Sequence, residues 1–232
     1  MTTQLRLTET VGTLVRDHPA LATLFERARI DYCCGGRQTL AEACAQQGID
    51  PQGFLQELEA ALETAPVASM EVAYDSLTAL IDHIETVHHA YLHQELPHLE
   101  ARVAQVVAAH GHKDARLGQL QSCVAALAAE LQAHLQKEEQ ILFPLLRQLE
   151  ADPNSTLRSF IQAPIACMEQ EHQKTGAALA QLRRLTDDFT PPAWACNTYR
   201  ALLAGLLRLE QDLHQHIHKE NNLLFPRAIA EL

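Results

Sequence analysis

Two segments of the sequence place a glutamate one helical turn after a histidine. HLQKEEQILFP begins at His134 and contains Glu138, and HIHKENNLLFP begins at His216 and contains Glu220. Side chains four residues apart project from the same face of a helix and can reach one metal ion or two adjacent ones. His134 and Glu138 also lie on an apolar stripe, where an uncompensated carboxylate is costly. The pairs therefore predict a buried positive charge, such as a metal ion, beside each glutamate.

The two segments belong to an internal repeat. They share the pattern H-x-x-K-E-x-x-x-L-F-P at a separation of 82 residues, which is too long a match for coincidence. Upstream, His89 and His172 each lie on an apolar helical stripe, and they precede their His/Glu pairs by 45 and 44 residues. The repeat therefore predicts two helical hairpins, each with one histidine on its first helix and a His/Glu pair on its second.

Together the hairpins supply four imidazoles and two carboxylates to one bundle core, namely His89, His134, Glu138, His172, His216 and Glu220. This mixed nitrogen and oxygen set suits iron or manganese, and zinc is also compatible. Two octahedral ions offer about twelve positions, of which these side chains fill about eight if both carboxylates bridge. A bridging oxide or hydroxide takes one more on each ion, which leaves about one open position apiece. The set therefore predicts a di-metal centre that binds a small molecule.

Two acidic residues lie close to these ligands in the sequence. Glu130 precedes His134 by one turn, and Glu171 immediately precedes His172. Either carboxylate could act as a base next to a ligand histidine or line a path for protons or ions. A solvated carboxylate without such a role is an equal alternative for both.

The segment DYCCGG, residues 31–36, predicts a turn that carries two adjacent thiols, Cys33 and Cys34. We expect these thiols to be exposed, and the nearby Arg29 and Arg37 would favour the thiolate form. A reactive or transiently metal-binding pair is therefore favoured over inert packing. The other cysteines are isolated on helical faces and are predicted to be packing residues: Cys44, Cys123, Cys167 and Cys196.

The remaining sequence is typical of an all-α protein. Ala and Leu dominate, Gly is infrequent and 47% of the residues are hydrophobic. Residues 1–63 predict a small domain of short helices, 64–75 a linker and 76–232 a second domain. That domain contains four long helical patterns separated by turn-rich segments, roughly at 76–109, 115–149, 157–186 and 194–229. Four long helices with short connections predict an up-down-up-down four-helix bundle.

Charge and hydropathy restrict the classes of partner. The formal net charge of −11 argues against a nucleic-acid partner, because phosphate binding needs a basic surface. The sequence contains neither a signal-peptide pattern nor an apolar run of 18 residues, so we expect a cytoplasmic protein without a membrane partner. Six cysteines are too sparse for a disulfide scaffold, which fits a reducing compartment.

The combination of DYCCGG near the N-terminus with two copies of H…H-x-x-x-E resembles the di-iron proteins that repair iron–sulfur clusters, the RIC (YtfE/ScdA-like) family. The resemblance covers nearly the whole chain, as a small cysteine-bearing domain followed by a hemerythrin-like bundle. It implies that the six residues of the repeat bind two irons with an oxo or hydroxo bridge, and that Glu138 and Glu220 are bridging ligands. It also implies that Glu130 and Glu171 line a route to the irons, and that the protein is a homodimer.

The resemblance implies repair of iron–sulfur clusters damaged by nitrosative or oxidative stress, with damaged iron–sulfur proteins as clients. Three functions stay open. The first is iron delivery or nitrosyl chemistry, in which Cys33 and Cys34 engage the client or the nitrosyl. The second is a di-iron nitric oxide reductase that forms nitrous oxide with an external electron source, and the third is an O2 or NO sensor without turnover. Oxygen-carrying hemerythrins are less similar, because they use five histidines and two carboxylates.

Overall fold

The computed structural model describes residues 5–64, 74–152 and 155–231. Within these ranges there is no β-strand, and the only strand-like pairing is an isolated bridge between Thr10 and Thr39. The prediction of an all-α chain is therefore confirmed. The linker predicted at 64–75 lies almost entirely outside the described residues, and the predicted domain boundaries stay a prediction.

The chain divides by packing into two compact units. The bundle unit comprises Leu77–Leu213, and the second unit comprises the described residues up to Ser76 together with His214–Glu231. The last long helix therefore has residues in both units.

The long helices follow the predicted patterns closely. The first consists of α5 (Leu77–His83), a π-helical turn (Ile84–His89) and α6 (Ala90–His110). The second consists of α7 (Arg116–Lys137), a π-helical turn (Glu138–Leu142) and α8 (Phe143–Ala151). A 3₁₀ turn (Thr156–Phe160) precedes α9 (Gln162–Leu185), and the last helix consists of α10 (Asn197–Lys219), a π-helical turn (Glu220–Leu224) and α11 (Phe225–Glu231).

Apolar stripes on α6, α7, α9 and the bundle part of α10 form one core of buried, mostly leucine, side chains. Helix α7 packs against both α6 and α9. Between α9 and α10, Arg183 Nε donates to Glu210 Oε1 at 2.8 Å. Between α6 and α10, a Cβ added to Gly205 would lie 2.8 Å from Leu99, so the absence of a side chain allows these helices to approach closely. The order of neighbours is that of the predicted up-down-up-down bundle.

The π-helical turns explain how two helices continue past a proline. Pro144 is the second residue of α8, and it has no N–H for the helical hydrogen-bond pattern. Just before it, the Phe143 N–H donates to the Glu138 carbonyl, five residues back. This wider turn accommodates the proline, and the same arrangement recurs where the Phe225 N–H donates to the Glu220 carbonyl before Pro226. Single π-helical turns inside long helices are frequent at functional sites.

Between residues 5 and 64, the second unit has four short α-helices, which are α1 (Val11–Asp17), α2 (Ala22–Ala28), α3 (Leu40–Gln47) and α4 (Pro51–Thr64). Helix α3 begins with a capping box between Thr39 and Glu42 and ends at Gly48, whose φ of +67° suits glycine. The apolar core of the second unit includes Phe25 and Leu58 from these helices and Ile217 from α10. The C-terminal segment therefore completes the core of this unit.

Among the residues that the structure describes, none of the helices has both the length and the apolar character needed to cross a bilayer.

Candidate metal centre

Four of the predicted ligands lie together in the core of the bundle unit. His89 comes from the π-helical turn before α6, His134 from α7, Glu138 from the turn after α7, and His172 from α9. All four are buried, and Glu138 has no exposed surface. His134, Glu138 and His172 offer ligand atoms that lie within 4.8 Å of one another. His89 Nε2 lies 3.5 Å from Glu138 Oε2, and His134 Nε2 lies 3.3 Å from the same oxygen.

Two carboxylates outside the ligand set, those of Glu139 and Glu171, orient two of these imidazoles, and we call them the outer carboxylates. His89 Nδ1 lies 2.9 Å from Glu139 Oε1, and His134 Nδ1 lies 3.0 Å from Glu171 Oε2. An ionised carboxylate only accepts hydrogen bonds, so each Nδ1 carries the hydrogen and donates it. In the neutral ring, Nε2 then presents its lone pair to the interior, as in metal-binding histidines with a carboxylate behind them.

This geometry fits a metal ion. The lone pairs of two Nε2 atoms face the same buried oxygen of Glu138, and His172 Nε2 lies 3.2 Å from His134 Nε2. The Nε2 lone pairs of His89 and His134 and an ionised Glu138 oxygen only accept hydrogen bonds, so they repel one another at these distances unless a positive charge lies between them. Imidazole nitrogen with carboxylate oxygen is a donor set for iron, manganese or zinc. The residues present therefore suit the iron that the sequence predicts.

The outer carboxylates are held in the ionised form. Burial raises the pKa of Glu171, but hydrogen bonds from Lys137 and His134 together lower it by more and keep it below its ordinary value. The pKa of Glu139 is lowered in the same way, since hydrogen bonds from His93 and His89 outweigh the effect of burial. Both groups therefore remain acceptors for the ligand imidazoles at neutral pH.

The other two predicted ligands belong to the second unit and repeat the local geometry of the first motif. His216 lies in the last turn of α10, and Glu220 begins the following π-helical turn. Both side chains are buried, and His216 Nε2 lies 3.1 Å from Glu220 Oε1. The internal repeat is thus matched in structure, because both copies place a buried imidazole next to a buried carboxylate.

The structure distinguishes the two acidic residues that the sequence left equivalent. Glu171 binds His134 and also forms an ion pair with Lys137, whereas the Glu130 side chain is exposed on α7. A base or path-lining role for Glu130 stays a prediction. The role of Glu139 was not predicted from the sequence. The repeat contained a signal for it, since the two copies differ at this position, where the second has Asn221.

The expectation of exposed, thiolate-prone cysteines in DYCCGG is wrong for Cys33. Its side chain is buried, and Cys34 is partly buried. Asp31 Oδ1 accepts the backbone N–H groups of Cys33 at 3.0 Å and Cys34 at 2.9 Å. A hydrogen bond to the Cys34 sulfur 3.8 Å away, burial, and the negative charge of Asp31 raise the pKa of the Cys33 thiol well above its ordinary value. Asp31, Cys33 and Cys34 are nevertheless close enough to share a metal ion.

Two asparagines beside Glu220 hold the cysteine turn in place. Asn221 Nδ2 donates to the Cys33 carbonyl at 3.3 Å, and Asn222 Nδ2 donates to the same carbonyl at 3.1 Å. A Cβ added to Gly12 or Gly36 would lie 2.4 Å from Asn222 Oδ1, so the Asn222 amide requires both glycines. In the first copy of the motif the matching residues are Glu139 and Gln140. The second copy has therefore replaced an outer carboxylate with a contact to the cysteine turn.

We expect Asn222→Ala to loosen the cysteine turn. The change removes one of the two amide donors to the Cys33 carbonyl, Asn221 being the other, so we expect a loss of about 0.5–1.5 kcal/mol of unfolding free energy. Urea unfolding measures this cost, and the rate at which Cys33 reacts with an aromatic disulfide should rise in parallel. Gln140→Ala is the matched control, because Gln140 occupies the same motif position and is exposed. Equal effects of the two substitutions would contradict this role of Asn222.

The family comparisons agree with this arrangement. Residues 80–228 match the model of the Hemerythrin HHE cation binding domain, and residues 7–62 match ScdA_N, a domain of unknown function (DUF542). The chain is 38% identical over 221 residues to an iron-sulfur cluster repair protein YtfE of Yersinia pseudotuberculosis serotype IB (strain PB1/+). The YtfE of Yersinia pestis (strain Pestoides F) has the same identity, and in both comparisons the match covers 95% of this chain and 96% of the relative.

The cysteine turn, the duplicated His/Glu motif and full-length similarity therefore place this chain in the family of YtfE-like iron–sulfur cluster repair proteins, with a hemerythrin-type cation binding domain.

Proposed function

We propose that this protein repairs iron–sulfur clusters damaged by nitric oxide or oxidants, and that it does so with two resident iron ions joined by an oxo or hydroxo bridge. The observation that carries the proposal is the convergence of imidazole Nε2 atoms on the buried Glu138 carboxylate. The names of the relatives supply the substrate class, which is damaged iron–sulfur proteins.

The proposed ligand set has six members, namely His89, His134, Glu138, His172, His216 and Glu220. Two arguments support it. The first is the internal repeat, whose copies each supply an imidazole and a carboxylate to the same local geometry. The second is charge, because two carboxylates and neutral imidazoles partly neutralise two iron cations while open positions remain for a small ligand. Glu138 and Glu220 are the proposed bridges.

The bound irons would supply Lewis acidity and one-electron chemistry toward NO or O2. The surrounding residues orient and polarise this set. Glu139 and Glu171 accept the Nδ1 hydrogens, which keeps each Nε2 directed at the interior and makes the imidazole a stronger donor. Lys137 pairs with Glu171 and limits the negative charge that surrounds the site.

We propose that the thiols of Cys33 and Cys34 engage the client. Cys34 is partly accessible, whereas Cys33 is buried behind it with a protonated thiol. The turn that carries them is bound by residues directly after Glu220, so the thiols are held at a defined place near the end of the ligand motif. Delivery of iron to a client, or removal of its nitrosyl, would take place at this pair.

We expect the double variant Cys33→Ser and Cys34→Ser to lose repair activity and retain its iron. The assay follows recovery of activity in a [4Fe–4S] enzyme that has been inactivated with nitric oxide, while iron content and the optical spectrum are recorded on the same sample. Cys123→Ser is the control, because Cys123 lies on α7 in the bundle unit and its thiol faces the Ala178 carbonyl. Unchanged repair by the double variant would contradict the thiol role.

The two alternative functions predict different products. A di-iron nitric oxide reductase would form nitrous oxide through many turnovers when reductant is ample, and a sensor would bind O2 or NO without turnover. Transfer of iron from the loaded protein to an apo-client supports delivery, and complete retention of iron argues against it. Nitrous oxide formation, binding of O2 or NO, and iron transfer, all measured on one preparation, therefore separate repair from reduction and from sensing.

We also propose that the protein acts in the cytoplasm as a homodimer during nitrosative and oxidative stress. Sedimentation of the iron-loaded protein tests the dimer, and a single monomeric species at micromolar concentration would contradict it.

A further inference from the structure

A thiol and an imidazole form a pair at the end of the bundle unit that is distant from His89. His110 is the last residue of α6, and Cys196 directly precedes α10. The His110 Nε2 and Cys196 Sγ atoms are 3.2 Å apart, which is within hydrogen-bond distance. Helix α6 has 21 residues and therefore separates this pair from the metal ligands by about 30 Å.

Cys196 lies at the N-terminus of a long helix. The Arg200 N–H donates to the Cys196 carbonyl at 3.0 Å, so Cys196 is the cap residue at the N-terminus of the 23-residue helix α10. Unsatisfied N–H groups at a helix N-terminus carry a partial positive charge, which stabilises a thiolate.

The surroundings of the pair are aromatic and cationic. The His110 ring lies 5.6 Å from the Trp194 ring and is stacked 6.3 Å from the Tyr199 ring. Lys113 Nζ lies 5.6 Å from the centre of the Trp194 ring. Two nearby carboxylates, Asp114 and Asp187, both form ion pairs with Arg116, so their charges are compensated. Cys196 and His110 are both partly exposed.

Four of the five other cysteines lie in environments that are less favourable to a thiolate. Cys33 hydrogen-bonds to Asp31, and the Cys167 thiol lies 3.7 Å from the Glu171 carboxylate, so a thiolate at either place would face a negative charge. Burial raises the pKa of the Cys44 and Cys123 thiols. The Cys196 sulfur, in contrast, lies 3.2 Å from an imidazole nitrogen that can accept the thiol proton.

We propose that Cys196 is a modification site, a nucleophilic thiol activated by His110 that reacts with peroxide and with soft electrophiles. The thiol proton moves from Cys196 Sγ to His110 Nε2, and the thiolate attacks one oxygen of hydrogen peroxide. The S–O bond forms as the O–O bond breaks, and the proton on His110 leaves with the departing hydroxide as water. The sulfur is oxidised by two electrons to a sulfenic acid, and the peroxide is reduced by two electrons to water. The sequence-based prediction that Cys196 is a packing residue is met as well, since Cys196 is partly buried and packs against the core of the bundle unit.

The test is alkylation of the iron-loaded full-length protein with iodoacetamide at neutral pH, with the rate at each cysteine measured by peptide mass spectrometry. We expect Cys196 to react faster than Cys167, although Cys167 is more exposed. His110→Gln should slow alkylation of Cys196 by about tenfold, because the amide does not take up the thiol proton. His112→Gln is the matched control, since His112 lies two residues away, is exposed, and should leave the rate unchanged.

A second readout follows oxidation directly. After brief treatment with hydrogen peroxide, a sulfenic-acid probe should label Cys196 in the wild-type protein and label it about tenfold less in His110→Gln. The wild-type protein and His110→Gln should have the same thermal unfolding and the same iron content. A loss of labelling then reports loss of thiol activation and not loss of the fold. The proposal is overturned if wild-type Cys196 reacts no faster than Cys167. It is equally overturned if a folded His110→Gln protein retains the wild-type rate.

Discussion

Glu138→Gln is expected to remove most of the bound iron and, in the metal-free protein, to raise the melting temperature. Glu138 is fully buried, and two imidazole nitrogens lie within 3.5 Å of one of its oxygens. Bound cations compensate the charge of the carboxylate, whereas the metal-free protein must bury the same group without them. Glutamine keeps the shape and removes that charge, so it weakens metal binding and stabilises the apoprotein.

Iron per chain and calorimetry of the chelated protein at pH 8 measure the two effects. Glu130→Gln is the matched control, because it removes a carboxylate from the exposed side of α7 and should change neither quantity. Full iron content in Glu138→Gln would show that the carboxylate is not a ligand. A less stable apoprotein would show that Glu138 is stabilised by contacts other than a metal ion.

Glu171→Gln is expected to weaken iron binding by about 10–100-fold, the usual cost of losing a carboxylate behind a metal-binding histidine. Glu171 Oε2 lies 3.0 Å from His134 Nδ1, and its ionised form keeps His134 in the tautomer that directs Nε2 inward. The amide of glutamine accepts this hydrogen bond more weakly, and in its other orientation it places a donor against Nδ1–H. The His134 imidazole then loses both basicity and orientation.

Competition with a calibrated chelator measures the affinity in Glu171→Gln, in Glu130→Gln and in the wild-type protein. The sequence alone placed both glutamates near the ligands, but the structure places only Glu171 against one of them. A larger loss of affinity in Glu130→Gln than in Glu171→Gln would therefore reverse the roles assigned from the geometry.

The positions of the helices and of the buried ligands could be predicted because both depend on local periodicity. A stripe of apolar residues at helical spacing defines the face that must be buried, and His134 and Glu138 lie on that face whatever the neighbouring helices are. The duplicated motif added an independent check, because the same residues recur in α10 and in the π-helical turn after it. The predicted helix ends therefore lie within a few residues of the observed ones.

The environment of the thiols could not be predicted in the same way. Arg29 and Arg37 are the neighbours of DYCCGG in the sequence, yet the groups that raise the pKa of Cys33 are Cys34, the apolar core and Asp31. Cys196 is the converse case, since its partner His110 is 86 residues away in the sequence. A pKa depends on solvent exclusion and on charges within a few ångströms, and sequence spacing reports neither for residues in turns.

Three properties could be inferred from the residues alone: the helical fold, the internal duplication, and a set of histidines and carboxylates suited to iron. These properties follow from residue type and from the helical period, which act over a few turns. Three others required the packed fold: the carboxylates that support the ligand histidines, the asparagines that hold the cysteine turn, and the thiol that faces an imidazole. Each of these contacts joins side chains from different helices, so it exists only after the apolar faces have packed and fixed their separation.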